Sequence, residues 1–226
     1  MSLTLYYSPY SQPSRAILTF LLLTSIPHEI KIIELLKGQQ RSPEYLKINP
    51  LGKVPALCDD DFLLSESEAI ILYIIDSRNV GQEYYPEDPK LRALVNQYFP
   101  YHHAHVRPRL INLFSLVWFP YKIEGRKDNV RFEALEVCKQ FERVFLNENK
   151  KYIVGDIFTI ADIFAANEFI QVYYGIPDFD WSNFPVLKAY VERCLENKVL
   201  CDVNKEMKEF PKLVKRLKEE ALGERD

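Results

Sequence analysis

The chain has 226 residues, of which 47% are hydrophobic and 27% are charged, and its formal net charge at pH 7 is −3. This length accommodates one compact unit or two small ones with a sizeable core. This slightly acidic net charge argues against the basic surface expected of a nucleic-acid-binding protein.

Cysteine usage and apolar runs bear on the compartment. Four cysteines are scattered without a CxxC pair, which predicts reduced thiols in the cytoplasm: Cys58, Cys138, Cys194 and Cys201. The N-terminus enters a strand directly, without a signal-peptide pattern, and no apolar run approaches the ~20 residues that span a bilayer. We therefore expect a cytoplasmic protein with no membrane partner and no nucleic-acid partner.

The first elements predict a strand–helix–strand unit. Residues 3–7 alternate as a strand, residues 11–18 begin a helix, and residues 29–33 form a second strand. Pro13 in the first helical turn costs nothing, because the N–H at that position has no intrahelical partner. A crossover helix between the two strands implies a right-handed βαβ unit with parallel strands. Ser11 lies just before the helix, where its hydroxyl can donate toward an anion.

Residues 52–67 look suited to a peptide-like ligand. Proline lacks an N–H, so Val54-Pro55 belongs at a strand edge or in a turn. An edge would leave the backbone of Val54 able to pair with an extended ligand. The sequence permits either a cis or a trans Val54–Pro55 peptide bond.

Glu66-Ser67 lies where a strand over 62–64 gives way to a helix over 68–75. A helix N-terminus offers free N–H groups and partial positive charge to a ligand carboxylate, and Glu66 could hold an ammonium. The plainer alternative is a helix capped by Ser65 or Ser67 with an acid in its first turn.

Beyond the linker the pattern is helical to the end of the chain. Residues 78–89 combine glycine, prolines and charges, so we divide the chain into domains 1–78 and 91–226 joined by a linker over 79–90. Apolar spacings of three and four predict helices over 91–118, 129–146, 160–173 and 186–195. Thr159 and Asp162 form a capping box, with Phe158 and Ile163 placed for a hydrophobic staple.

Five motifs recur along the chain at spacings typical of one enzyme family: residues 11–16, 36–40, 49–57, 65–67 and 84–88. On these motifs the chain resembles the cytosolic glutathione transferases, in particular the theta class. The resemblance implies a glutathione transferase fold, with an α/β thioredoxin-like N-terminal domain (βαβ-α-ββα) and an all-α C-terminal domain. It also implies a detoxifying homodimer that takes glutathione as co-substrate and needs no cofactor.

Glutathione must be activated for such a reaction, because its thiol has a pKa of about 8.5. Lowering that pKa by about two units takes about 2.7 kcal/mol, close to one hydrogen bond to a charged group. By resemblance, Ser11 donates this hydrogen bond; its alternative role is a plain helix cap. Tyr6 is the rival donor, and Tyr7 and Tyr10 are weaker ones.

The remaining glutathione contacts follow from the resemblance. Lys53 pairs with the glycyl carboxylate, the backbone of Val54 binds the cysteinyl unit, and Glu66 and Ser67 hold the γ-glutamyl end. Gln40 stands where theta relatives often have a histidine at the glycyl end, which weakens the charge there although an amide can still donate.

The resemblance predicts a positive charge near the thiol but no acidic contact from the partner subunit. Arg107 matches an arginine of theta-like proteins whose charge would favour the thiolate. Arg107 and Arg109 could equally be solvated or interface charges. Ala104 stands where some relatives place an acid that reaches the partner subunit's glutathione, so that contact is expected to be missing.

His102, His103 and His105 raise a metal hypothesis. No Cys, Asp or Glu lies adjacent to complete a site, so we expect no metal, and pocket-wall or interface positions for these histidines.

An apolar electrophile pocket is expected between the domains. Tyr10, Phe114 and Trp118 should line it. The C-terminal segment predicts an amphipathic helix through Phe210, Leu213, Val214 and Leu217. That helix either docks on the domain or partly covers the pocket, as in theta relatives.

The predicted function is conjugation of reduced glutathione to small hydrophobic electrophiles: alkyl halides, epoxides, activated arenes and possibly peroxides. The alternatives are a non-catalytic module of the same fold that binds ligands or proteins, and a glutathione-dependent dehalogenase or isomerase.

Overall fold

The first part of the chain forms one mixed sheet of four short strands. The computed structural model describes residues 3–123, 127–147 and 150–223. Its strands are β1 (Leu3–Tyr7), β2 (Glu29–Ile32), β3 (Ala56–Asp59) and β4 (Phe62–Ser65). They are ordered β2-β1-β3-β4, with β1 parallel to β2 and antiparallel to β3, and with β4 antiparallel to β3.

Three helices complete this α/β part. They are α1 (Gln12–Leu23), α2 (Pro43–Leu46) and α3 (Ser67–Arg78). The order β1-α1-β2-α2-β3-β4-α3 confirms the predicted βαβ-α-ββα arrangement and the parallel β1–β2 pair. Two 3₁₀ turns, Leu35–Lys37 and Gln39–Arg41, precede α2.

Val54-Pro55 occupies a turn and not a strand edge. The Val54–Pro55 peptide bond is cis, and β3 begins only at Ala56. Because β3 lies between β1 and β4, the edge-strand alternative is wrong. A proline cannot donate to a ladder, so it stands just before a central strand instead.

The second part of the described chain is helical. Its helices are α4 (Pro89–Tyr101), α5 (Arg107–Trp118), α6 (Lys127–Phe145), α7 (Ile160–Gly175), α8 (Pro185–Glu196), α9 (Lys198–Val203) and α10 (Lys205–Gly223). The short helix α9 was not predicted, because six residues show too little periodicity. The two-part architecture confirms the predicted fold class.

The helix predicted over 91–118 is interrupted by one π-helical turn, His102–Val106. Pro108 has no N–H for the carbonyl four residues earlier, that of Ala104. The Arg109 guanidinium donates to this carbonyl at 3.3 Å and to that of His105 at 3.1 Å. Arg109 therefore supplies the Ala104 carbonyl with a donor that Pro108 cannot provide.

Helix α7 passes through the centre of the core and packs against α1. Fourteen of its residues are buried, and ten of these are apolar or glycine, as expected for a helix surrounded by the core. Its predicted capping box is confirmed: Asp162 accepts from the backbone N–H of Thr159 at 2.9 Å. Asp162 also accepts from Ile153 N and Tyr190 Oη, so it ties two further segments to the start of α7.

Two findings concern the compartment prediction. All four cysteines are free thiols. Among the described helices, none has both the length and the apolar character that crossing a bilayer requires.

Candidate functional site

A cavity of about 300 Å³ lies between the turn before β3, the start of α3 and the beginning of α5. We call it the polar cavity. It brings together four of the five residues predicted to bind glutathione, and Arg107 with them. Its lining includes Lys53, Val54, Glu66, Ser67, His103 and Arg107.

Local hydrogen bonds hold the loop that carries Lys53 and Val54. Gly52 has φ of 60°, a conformation that side chains other than glycine rarely adopt. The backbone carbonyl of Lys53 accepts from Tyr45 Oη at 2.6 Å and from Asn49 Nδ2 at 2.8 Å. These bonds leave the Lys53 side chain exposed at the cavity while its backbone is fixed.

The start of α3 is open to a ligand. Glu66 is the N-cap residue, and no side chain caps the helix, so the predicted capping by Ser65 or Ser67 is wrong. Glu66 has φ of 68°, a strained conformation for a residue with a side chain. Such strain is typical of binding sites. No side chain caps the first-turn N–H groups of α3, and N–H groups at the start of a helix are suited to bind a carboxylate.

Ser11 lies between the polar cavity and a second, neighbouring cavity. Its Oγ caps α1, accepting from Ser14 N at 3.4 Å, and donates weakly to the carbonyl of Val54 at 3.5 Å. Among the described residues, Ser11 does not itself line either cavity, but Gln12 lines the second cavity and Pro13 the polar one. Ser11 therefore lies at the boundary between them.

The second cavity has a volume of about 280 Å³ and mostly aromatic and aliphatic walls. We call it the aromatic cavity. It shares Ile111 with the polar cavity, so the two adjoin. Tyr10 and Phe114, both predicted for an electrophile pocket, line this cavity, and Phe210 of α10 lines it with them.

Trp118 does not line the aromatic cavity. Its Nε1 donates to the carbonyl of Gly175 at 2.6 Å, and its ring packs against Phe210 at 5.9 Å between centroids. Trp118 thus stands behind a wall residue.

Gln40 lines the aromatic cavity and not the polar one. The 3₁₀ turn Gln39–Arg41 directs it there, and its Oε1 is buried without a hydrogen-bond partner among the described residues. The structure therefore separates Gln40 from Lys53, Glu66 and Ser67.

Arg107 is paired with a buried acid that the sequence reading missed. Its guanidinium donates to Glu168 Oε1 of α7, and Glu168 is 1% exposed. Burial raises the pKa of Glu168, and the nearby Arg107 charge opposes that rise. A signal was available, since Glu168 is an acid in the middle of a predominantly apolar helical segment.

The three histidines have separate surroundings. His102 is buried, with Nδ1 bonded to Tyr98 Oη at 3.0 Å, whereas His105 is exposed and packs on the Tyr101 ring. His103 Nε2 lies 3.3 Å from Glu68 Oε2 and lines the polar cavity, not the predicted electrophile pocket. Within the described ranges, no group of three metal-ligating side chains comes together.

The three tyrosines weighed as rival donors have different surroundings. Tyr6 lines a third cavity beside Lys31 and Tyr45. Tyr7 is buried, and burial raises its pKa to about 12, which weakens it as a donor to a thiolate. Burial and Glu206 raise the pKa of Tyr10 as well.

Comparison with known proteins follows the same division into two parts. The family model for the glutathione S-transferase N-terminal domain matches residues 5–82, and that for the C-terminal domain matches residues 79–198. Human glutathione S-transferase theta-1 is 34% identical over 189 residues, covering 78% of this chain and 79% of the relative. Mouse glutathione S-transferase theta-3 is 35% identical over 200 residues, covering 85% and 82%.

Solved structures are similar over nearly the whole chain. Human glutathione transferase theta-2, in complex with glutathione and an unknown ligand, superposes with a TM-score of 0.85 at 28% identity, covering 95% of this chain and 91% of that one. The apo form of human glutathione S-transferase T1-1 gives a TM-score of 0.84 at 29% identity, covering 93% and 91%.

Proposed function

Because this chain belongs to the glutathione S-transferase family, we propose that it transfers the thiolate of reduced glutathione to small apolar electrophiles. Alkyl halides, epoxides, activated arenes and peroxides are the candidate classes. With an alkyl halide, a sulfur–carbon bond forms while the halide leaves with the electron pair of the broken bond. The observation that carries the proposal is the junction of the polar and aromatic cavities at Ile111, beside Ser11.

Glutathione fits the polar cavity by charge. We place its glycyl carboxylate at Lys53 and its cysteinyl backbone along Val54. The γ-glutamyl ammonium would meet Glu66, and the γ-glutamyl carboxylate would meet Ser67 and the uncapped N–H groups of α3. The mutual closeness of these side chains around one cavity supports this arrangement.

This placement extends the thiol toward Ser11. A hydroxyl donor to the thiolate supplies about 1.5–3 kcal/mol, most of what lowering the thiol pKa by two units requires. The present bond from Ser11 Oγ to Val54 O is long at 3.5 Å, so exchanging it for a thiolate costs little.

Arg107 adds a longer-range contribution in this proposal. Its guanidinium lines the polar cavity but is paired with Glu168, so its charge is partly offset. It would favour the thiolate by Coulomb attraction, more weakly than an unpaired arginine.

Retention on immobilised glutathione, followed by a conjugation panel of alkyl halides, an epoxide, a hydroperoxide and chlorodinitrobenzene, tests the function. We expect retention and turnover of at least one class. Retention without any turnover would favour the non-catalytic alternative, and loss of both would contradict the proposal.

Ser11→Ala tests the assigned donor. We expect kcat/KM to fall about 10- to 100-fold and the pKa of bound glutathione, read from thiolate absorbance, to rise by one to two units. Retention on glutathione should persist, because the other contacts remain.

The matched control is Asp88→Ala, because Ser11→Ala also removes a helix cap. Asp88 caps α4 with bonds to Lys90 N and Leu91 N, and it lines neither cavity. It should lose a similar cap stability of about 0.5–2 kcal/mol without loss of conjugation. Unchanged turnover in Ser11→Ala would remove Ser11 from the mechanism.

We also propose that the protein is a cytoplasmic homodimer, as its family resemblance implies. Light scattering coupled to size-exclusion chromatography measures the mass directly, and a monomer of 26.6 kDa would contradict this.

A further inference from the structure

Gln171 is a buried polar side chain in the wall of the aromatic cavity. It belongs to α7, and its exposed fraction is 4%. The walls around it include the rings of Phe114 and Phe210 and the side chain of Ile111. A buried amide in such surroundings needs hydrogen-bond partners, because leaving one end unpaired costs free energy.

One end of this amide is fixed by a rigid neighbour. Gln171 Oε1 accepts from Arg15 Nη2 at 2.9 Å. The Arg15 side chain is fully buried and also donates to the carbonyls of Pro9 at 2.7 Å and Asn167 at 3.1 Å. A guanidinium only donates, so the amide oxygen must face Arg15 and the NH₂ group must face away from it.

The other end of the amide, Nε2, is a donor without an acceptor among the described residues. Gln171 Nε2 makes no hydrogen bond with any residue that the structure describes, and the side chain lines the aromatic cavity. A fixed donor in an apolar cavity selects ligands that carry an acceptor at the matching place.

We infer that Gln171 is a specificity-determining residue, whose Nε2 donates a hydrogen bond to an acceptor oxygen on the co-substrate. The inference rests on the proposed function and names its substrate class: compact aromatic electrophiles that carry a carbonyl or similar acceptor oxygen. A volume of about 280 Å³ suits one substituted ring. Arg15 is the positioning residue that orients the amide.

Two other polar groups in the same wall are less constrained. Ser115 lines the cavity, but a helical hydroxyl can turn to its own backbone. Gln40 presents a buried oxygen without a described partner, and so offers an acceptor instead of an anchored donor. Of these groups, Gln171 alone has an orientation set by a buried charge.

The test uses two nearly isosteric probes, 4-acetylbenzyl chloride and 4-isopropylbenzyl chloride. Conjugation kinetics are measured with both, and the affinities of the two corresponding S-benzylglutathione conjugates are measured by calorimetry. The quantity of interest is the preference for the acetyl over the isopropyl compound, compared between variants so that intrinsic reactivity cancels.

Gln171→Glu keeps an oxygen for Arg15 and removes the donor; Gln171→Met removes the donor without adding charge. Both should reduce the acetyl preference about tenfold, the effect of one hydrogen bond of about 1.4 kcal/mol. Ser115→Ala, in the same wall, should leave the preference unchanged. Melting temperatures show whether each variant is folded.

An unchanged preference in Gln171→Glu and Gln171→Met overturns the inference, as does an equal loss in Ser115→Ala. Absence of turnover with every electrophile contradicts the proposed function alone, because the affinities of the conjugates still decide whether Gln171 reads the acceptor.

Discussion

At the scale of single residues, buried ionisable side chains connect the candidate site to the core. Arg107 at the polar cavity pairs with Glu168, whose Oε1 lies 3.7 Å from His102 Nε2. His102 in turn bonds Tyr98. Arg107 at the polar cavity is therefore connected to a series of interacting polar side chains in the interior of the helical part.

His102 should make stability depend on pH. Burial, with the charge of Arg107 and that of His103, holds the pKa of His102 well below its usual value of about 6.5. The unfolded chain binds a proton below about pH 6.5 and the native chain does not, so the free energy of unfolding falls as pH drops. Between pH 7.5 and 5.5 this one group costs about 1.4 kcal/mol.

His102→Gln should therefore lose about 1.4 kcal/mol less than the parent protein over that interval, as measured by urea unfolding at both pH values. Glu168 and Asp162 have raised pKa values and act in the opposite direction, but they are present in both proteins. The exposed His105→Gln is the control. Identical pH profiles for the parent and His102→Gln would contradict the assignment.

At the scale of elements, the start of one helix and an interruption between two others place residues at the polar cavity. Helix α3 begins without a side-chain cap at the strained Glu66, whereas α7, far from solvent, has a complete capping box. The π-helical turn between α4 and α5 places His103 at the polar cavity and His102 in the core. Local sequence signals predicted the capping box but not the π-helical turn.

Helix α10 docks through Phe210 and borders the aromatic cavity. The ring of Phe210 is 1% exposed and contacts Tyr10 and Phe114, each at 5.1 Å between centroids. Both roles predicted for this helix, docking and partial cover, are thus compatible with one side chain.

Phe210→Ala should lower the free energy of unfolding by about 3–5 kcal/mol, because it removes a buried ring that its neighbours only partly replace. Leu217→Ala on the same helix is the matched control: that side chain is 41% exposed, and its loss should cost less than about 1 kcal/mol. Urea unfolding measures both. Equal losses would show that the apolar face of α10 is not anchored at Phe210.

At the scale of the whole molecule, the α1–α7 contact joins the sheet-bearing part to the helical part. Arg15 lies within it, fully buried, and bonds to the loop before α1 and to two residues of α7. Burial lowers the pKa of Arg15 to about 10, so the side chain stays charged at neutral pH.

Arg15→Met should destabilise the protein by at least about 3 kcal/mol, because it removes three buried hydrogen bonds of a charged group. Arg216→Met, on the exposed face of α10, should change the free energy of unfolding by no more than about 0.5 kcal/mol. Denaturant unfolding compares them. A loss below about 1 kcal/mol in Arg15→Met would mean that apolar packing alone holds the two parts together.

The sequence by itself determined the fold class, the order of strands and helices in the first part, the helical second part and the capping box of α7. Each of these depends on short-range rules: hydrophobic period, proline and glycine placement, and helix caps. The family resemblance predicted glutathione contacts at Lys53, Val54, Glu66 and Ser67; the structure brings these residues to one cavity, and their roles stay a proposal.

Only the tertiary structure decided which buried polar groups meet. Arg15 and Gln171 are 156 positions apart, and Arg107 and Glu168 are 61 apart, so no local pattern links either pair. In the structure, Gln40 lines the aromatic cavity and not the polar one, and Trp118 lies behind Phe210, contrary to the sequence-based predictions for both residues. Side-chain partners across such distances are set by how helices pack, and a single sequence does not specify that packing residue by residue.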